Sequence, residues 1–447
     1  MSKNQSALSR RGFIGTSVGA VGALSAGVFE ARAGAFGQQN LKPGLSLDAL
    51  KPAGALDDAY WWKVRSQFNI VDGLTFMNNG TLGPMPKVVF EANERYMREI
   101  MENPTDGGHA DELEQVREKV AQFVGATADE IALTRSTTEG MNIFAHGLDW
   151  KAGDEVVYCT HEHGGGTGPY KTLEKRVGIK IVNVAIPAPP ESVDQIVGLY
   201  EKAITPRTKA IMVSHVTYVT GLVTPIKELA DLAHRRGLVI SVDGAHPLGM
   251  MDLNLRATGV DHYSAAGQKW LMCGTGTGVC YVKREVQDRV WNLMGAPADP
   301  KRGARKYEEF GQRDVPSALG MGAAVDLQMA IGKKNVEARD RELSTRLRNG
   351  LKDIPGVKVW TSNNPALSTA LTLFSVREIP MANVQKAIMQ RDRIWIRTMG
   401  TGNLNGCRVA THIYNMPEEV DRLIASVKYV AENSARFMST APAAAQR

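Results

Sequence analysis

Lys269 stands in the segment Ala266-Gly267-Gln268-Lys269-Trp270, twenty-six residues after the aspartate of Val242-Asp243-Gly244-Ala245-His246. A lysine amine condenses with an aldehyde, and a carboxylate facing a pyridine nitrogen keeps that nitrogen protonated. Together the two can hold pyridoxal 5′-phosphate, the lysine as a Schiff base and the aspartate as the partner that makes the ring an electron sink. Asp243 ends a continuous apolar run that begins at Leu238, and Lys269 follows a short β-like run from His262 to Ala266. Carboxyl ends of strands in an α/β sheet are where ligands bind. Taken singly, each residue reads more readily as a surface lysine or a loop aspartate; the surrounding constellation reverses that reading.

Arg135-Ser136-Thr137-Thr138-Glu139-Gly140 follows a β-like run and opens a helical one. Free N–H groups at a helix start, helped by hydroxyls and the helix dipole, form a phosphate site, although Ser and Thr at helix starts also serve as plain caps. His161-Glu162-His163 would place two imidazoles on one side of a strand. No third ligand cluster lies nearby in the sequence, so no metal is expected. The planar ring of His163 is better used stacked on a planar cofactor, with Gly164-Gly165-Gly166 leaving room for close approach. Gly274-Thr275-Gly276-Thr277-Gly278 has a dinucleotide-loop look, but it precedes a strand where that loop would open a helix, so it reads as a tight turn. Arg408, just before His412-Ile413-Tyr414-Asn415, offers a planar fork suited to a substrate carboxylate, with a surface arginine as the open alternative.

The elements that must position these residues alternate. β-like runs over 130–134, 155–159, 180–185, 210–214, 238–243, 262–265 and 279–282 are separated by helical patterns over 138–146, 193–203 and 226–236. Val/Ile-rich strands alternating with helices predict an α/β domain with a mostly parallel seven-stranded sheet covered on both faces. One long helical pattern is expected from 318 to 352, followed by short strands over 357–360, 369–375, 394–397 and 408–411 with helices over 381–390 and 417–433. That mixture predicts a smaller α+β C-terminal domain. The expected organisation is a signal peptide over 1–33, an N-terminal arm over 34–68, a large domain over 69–325, a small domain over 326–435 and a tail over 436–447.

Ser9-Arg10-Arg11-Gly12-Phe13-Ile14 is a twin-arginine pattern, followed by a Gly/Ala-rich apolar stretch and a small-x-small site at Ala31-Arg32-Ala33. The expectation is export in the folded state, with the cofactor acquired in the cytoplasm, and a periplasmic enzyme starting near Gly34. No later run has the length of a membrane span. The net charge of +6 comes from dispersed residues, without a basic block interleaved with aromatics, so no nucleic-acid partner is expected. Four cysteines (Cys159, Cys273, Cys280, Cys407) are too few for a disulfide framework in 447 residues.

From Phe76-Met77-Asn78-Asn79-Gly80 to Tyr414-Asn415-Met416-Pro417-Glu418-Glu419 the chain resembles class V aminotransferases, the fold-type-I pyridoxal-phosphate family that also holds cysteine desulfurases, selenocysteine lyases, kynureninases and isopenicillin N epimerase. Phe310-Gly311-Gln312-Arg313-Asp314 looks closest to the isopenicillin-N-epimerase-like branch. The resemblance implies that Lys269 is the catalytic lysine and Asp243 the pyridinium partner. It also places His246 at the cofactor's phenolic oxygen, His163 on the ring, and Thr137, Thr138 and Gln268 around the phosphate. Arg408 and Asn79 would meet the substrate. The family often has Ser-Gly-His before the lysine, where Ala266-Gly267-Gln268 stands here; Gln312 occurs where a partner-subunit threonine often reaches the phosphate, and Tyr218 replaces a common asparagine. A homodimer with sites at the subunit boundary is implied. The expected substrate is a small amino acid or amine, free or peptide-borne, and transamination is the leading reaction. Epimerisation or a desulfurase-type elimination is the alternative. The segment 398–403 lacks the cysteine that desulfurases use as sulfur acceptor, which leaves Cys407 as the one thiol able to serve.

Overall fold

Five of the strands of the large sheet are built from residues that have no solvent face to alternate with. Every residue of Ile131–Thr134, Glu155–Cys159, Val239–Asp243, His262–Ala266 and Gly278–Val282 is buried, as expected for strands covered on both sides. The computed structural model describes residues 44–106, 109–294, 300–402 and 404–438. The twin-arginine segment, the expected cleavage site, Asn403 and the end of the tail lie outside the described residues.

In chain order the strands are β1 (Thr75–Phe76), β2 (Ile131–Thr134), β3 (Glu155–Cys159), β4 (Lys180–Val184), β5 (Thr208–Ser214), β6 (Val239–Asp243), β7 (His262–Ala266), β8 (Gly278–Val282), β9 (Val357–Val359), β10 (Leu371–Val376), β11 (Ile394–Trp395), β12 (Arg397–Thr401) and β13 (Leu404–Ala410). The large sheet has seven strands in the order β2-β8-β7-β6-β5-β3-β4, and β8 alone runs against its neighbours. The carboxyl ends of the other six therefore share one edge. The mostly parallel seven-stranded sheet expected from the sequence is present, and a C-terminal unit has its own antiparallel sheet, β12-β13-β10-β9. Apolar side chains fill both faces of the large sheet, Ile211, Ile240 and Val242 on one and Val156, Met212 and Cys280 on the other.

Two glycines let layers come close where the site forms. A Cβ on Gly140 would lie 2.1 Å from the Ser264 hydroxyl, so the helix Thr137–Gly147 presses directly on β7. A Cβ on Gly244 would lie 1.9 Å from the Tyr263 ring, and its absence lets the turn after Asp243 fold back over β7.

Three local expectations are corrected. The helical pattern over 318–352 is two helices, Val315–Ile331 and Lys333–Lys352, broken at Gly332, whose φ of 94° no helix interior adopts. The segment after Arg397 is one arm of a β-hairpin in place of a loop, because Thr398 to Thr401 pair with Leu404 to Cys407. The aperiodic N-terminal arm contains the helices Leu47–Leu50 and Asp58–Arg65, which bury Leu50, Trp61 and Val64 against Leu327, Ile331 and Tyr414.

Candidate active site

The shared strand edge opens into a cavity of about 250 Å³ lined by Thr137, Thr138, His163, Tyr218, Asp243, His246, Gln268, Lys269, Arg397 and Arg408, with Gly80 and Thr81 reaching in from before the large sheet. A larger cavity of about 640 Å³ in the C-terminal unit, lined by Trp360, Arg377, Met381 and Cys407 among others, brings together no comparable set of acids and bases. Convergent chemistry marks the smaller one.

At one end lies the start of the helix Thr137–Gly147. Ser136 caps it by accepting from the Glu139 N–H at 3.1 Å. The Thr137 hydroxyl is buried without a protein partner, and so is the Gln268 amide oxygen. Unmet polar groups cost about 1–3 kcal/mol each in an interior. A phosphate here would accept from the hydroxyls, the first free N–H groups and the flipped Gln268 amide.

Asp243 ends β6 and is buried; its Oδ1 accepts from the Ala245 N–H at 3.0 Å. Burial raises its pKa, against the pull of nearby Lys269 and His163. A pyridinium N–H would add a second donor and an opposite charge to this buried carboxylate. His163 caps the helix Gly164–Val177, its Nδ1 accepting from the Gly165 N–H at 3.0 Å, and its ring meets Tyr218 edge-on with centroids 5.0 Å apart. Burial lowers its pKa, so the ring enters the cavity neutral. His246 accepts at Nδ1 from the Trp270 indole at 3.0 Å, while its Nε2 has no protein partner. These groups fit pyridoxal phosphate: hydroxyls and a helix start for the phosphate, a carboxylate for the ring nitrogen, and an amine for the aldehyde.

That amine is Lys269, three residues beyond β7. Burial brings its pKa down to about 8; Asp243 resists this, and Arg408 and Arg397 add to it. A larger share of the amine is then a free nucleophile near neutral pH than in an ordinary lysine.

Asn79 does not line the cavity. It is fully buried, donates to the Lys269 carbonyl at 3.4 Å and accepts from the Tyr414 hydroxyl at 3.1 Å. Its side chain is engaged with protein behind Lys269, so it holds that backbone and does not reach a substrate. Arg408 does face the cavity. It is buried, donates to the Tyr218 carbonyl at 2.7 Å, to Asn78 at 3.2 Å and to the Thr81 hydroxyl at 3.1 Å, and leaves its Nε unpaired. Burial and Arg397 together bring its pKa down to about 9.

Arg397 and Thr81 were not anticipated. Arg397 sits opposite Arg408 across the β12–β13 ladder and donates to the same Thr81 hydroxyl at 2.7 Å. Like charges directly opposite on a sheet are unfavourable, and among the described residues neither guanidinium has a carboxylate partner. An anion between them would satisfy both. The Gly402-Asn403 dipeptide was the available signal, since counting back from a turn there pairs Arg397 with Arg408.

Side chains alternate along β13, so Cys407 points away from Arg408, toward the Met381 carbonyl and the larger cavity. Burial pushes its thiol up to about 12 and raises the other three cysteines as well. All four are buried, so Cys407 is excluded as a sulfur acceptor at this cavity. His161 is buried and lines no part of the cavity, and Glu162 accepts from the Ser214 N–H at 2.9 Å. Gln312 is exposed and lines no part of the cavity within one chain.

Residues 76–423 match the family described as Aminotransferase class-V. An isopenicillin N epimerase of Streptomyces clavuligerus is 28% identical over 385 residues, covering 82% of this chain and 97% of that protein. A second, from Amycolatopsis lactamdurans, is 28% identical over 399 residues, 83% of this chain and 99% of its own. A probable cysteine desulfurase of Methanothermobacter thermautotrophicus is 26% identical over 396 residues, 82% and 97%. Among solved structures, the apo cysteine desulfurase of Thermococcus onnurineus superposes with a TM-score of 0.75 at 24% identity, over 83% of this chain and 98% of that one. At that identity the likeness speaks for the fold.

Proposed function

Since the chain belongs to the class V aminotransferases, in their isopenicillin-N-epimerase-like branch, and uses pyridoxal 5′-phosphate, we propose that it inverts the α-carbon of an amino acid that presents a free carboxylate. This reverses the ordering expected from the sequence, where transamination led. The observation that supports it most is the match to two named epimerases along nearly their whole length. Desulfuration, the activity named for other relatives, is disfavoured because no thiol reaches the cavity.

The bound cofactor supplies an aldehyde for the substrate amine and a protonated ring that draws electrons from the α-carbon. Lys269 would be the base that takes the α-proton, and a pKa near 8 suits a group that must also give it back. Arg408 and Arg397 hold the carboxylate, which fixes which α-bond faces Lys269. Asp243 keeps its charge opposite the ring nitrogen. Inversion needs a proton returned from the other side, and our candidate is the hydroxyl of Tyr218, whose ring lies beside His163 at the cavity wall.

Holoenzyme incubated in D2O with single-enantiomer amino acids tests this. The expected result is deuterium at the α-carbon with loss of optical activity and no keto acid. Keto acid formation would mean transamination, and sulfide or pyruvate release would mean elimination. Tyr218→Phe should retain exchange while inversion falls by about 10²–10⁴-fold; equal loss of both would remove Tyr218 from the scheme.

We also propose a periplasmic homodimer, on the paired Arg10-Arg11 and on an apolar stripe of Phe90, Met97 and Met101 exposed along one face of the helix Lys87–Glu102. Arg10→Lys with Arg11→Lys should retain activity in the cytoplasm, and the native protein should scatter light as twice the chain mass. An active monomer, or unimpaired export of the double variant, would count against it.

A further inference from the structure

Behind the cavity floor a buried run of hydrogen bonds leads from the helix Lys333–Lys352 to His246. Asp340 and His412 are fully enclosed, and both carboxylate oxygens lie 3.0 Å from His412 Nδ1. The other ring nitrogen, Nε2, is 3.0 Å from the carbonyl oxygen of Trp270. A carbonyl only accepts, so Nε2 carries a proton, whichever of Asp340 and His412 holds the one between them. The Gln328 amide donates to the same carbonyl at 3.1 Å, and the His412 ring packs edge-on against the indole with centroids 5.0 Å apart. Trp270 is thus held by its backbone and by its ring.

An indole N–H is a donor only. The Trp270 N–H points at Nδ1 of His246, 3.0 Å away, so Nδ1 must present its lone pair. Burial, with Lys269, Arg408 and His163 close by, pushes the pKa of His246 well below its usual value. The ring is therefore neutral and its single proton is on Nε2, the nitrogen that lacks a protein partner and belongs to a residue of the cavity wall.

We propose that Trp270 is a positioning residue: it locks His246 in the Nε2–H tautomer and so presents one fixed donor to the phenolic oxygen of bound pyridoxal phosphate, with Asp340 and His412 holding Trp270 in place. Without the indole N–H the proton is free to move to Nδ1, which turns a lone pair toward that oxygen. A donor stabilises the ionised phenolic oxygen, so losing it raises the pH at which the oxygen ionises. The other charged or titratable groups facing the cavity, Asp243, Lys269, His163, Tyr218, Arg397 and Arg408, are untouched by the change.

The test uses holoenzyme in which Trp270 is replaced by benzothienylalanine, which keeps the ring shape and removes the N–H, with Trp270→Phe as a second variant. Neutron diffraction of the deuterated native holoenzyme should place deuterium on Nε2 of His246 and none on Nδ1. The pH midpoint of the cofactor's visible band should rise by about one unit in the benzothiophene protein, and in Trp270→Phe likewise. Deuterium on Nδ1 in the native enzyme, or an unmoved midpoint in the benzothiophene protein, overturns the proposal. Neither readout depends on which reaction the enzyme catalyses, so failure here leaves the epimerisation reading standing.

Discussion

Lys269→Ala lowers turnover by about 10⁴-fold and abolishes borohydride trapping of the cofactor on the protein. The size follows from the roles one amine fills: it anchors the aldehyde, and once displaced it moves the α-proton, a task worth about 10²–10⁴-fold by itself. The native holoenzyme, reduced and digested, should carry the cofactor on the peptide containing Lys269. Loading has a pH dependence of defined sign. Below about pH 8 the amine is mostly protonated and cannot attack an aldehyde; above it the free amine dominates. The rate at which apoprotein takes up pyridoxal phosphate should therefore climb through pH 8 and level off, about two units below where an ordinary lysine would. Full turnover in Lys269→Ala would refute the catalytic assignment.

Arg408→Ala should also have a large effect, and one that falls mainly on substrate binding. Arg408 is buried with its Nε unpaired, so a carboxylate held there makes a charge-assisted contact shielded from water. Losing it removes about 2–4 kcal/mol, which is on the order of 30- to 1,000-fold in KM. Arg397 is exposed, and its loss should weaken binding by about 1 kcal/mol at most. The comparison that isolates the contact is a substrate whose carboxylate is converted to an amide: native enzyme should handle it as poorly as Arg408→Ala handles the acid. If KM for the acid is unchanged in Arg408→Ala, the carboxylate is held elsewhere and the substrate presents a different handle.

The order of the candidate reactions is not legible in the sequence for a physical reason. Transamination, epimerisation and elimination share the lysine, the aspartate and the phosphate cradle, and they differ in where one proton goes next. That depends on which groups stand on either side of the α-carbon, a relation between Lys269 and residues such as Tyr218 that lie far from it in the chain.

By itself the sequence determined the alternating α/β architecture and the placement of Thr137, Thr138, His163, Asp243, Gln268 and Lys269 on one sheet edge. Each follows a β-run closely, and a run buried on both faces is legible as unbroken apolar residues. The three-dimensional structure decided most of the rest. Arg397 joined the site because hairpin register sets it opposite Arg408. Cys407 left it because neighbouring side chains on a strand face opposite ways. Asn79 turned out to support Lys269 from behind, and Trp270 met His246, through contacts between segments 190 and 24 residues apart. Strand ends are written in local pattern. Register, side-chain direction and contacts between distant segments are settled only when the layers pack.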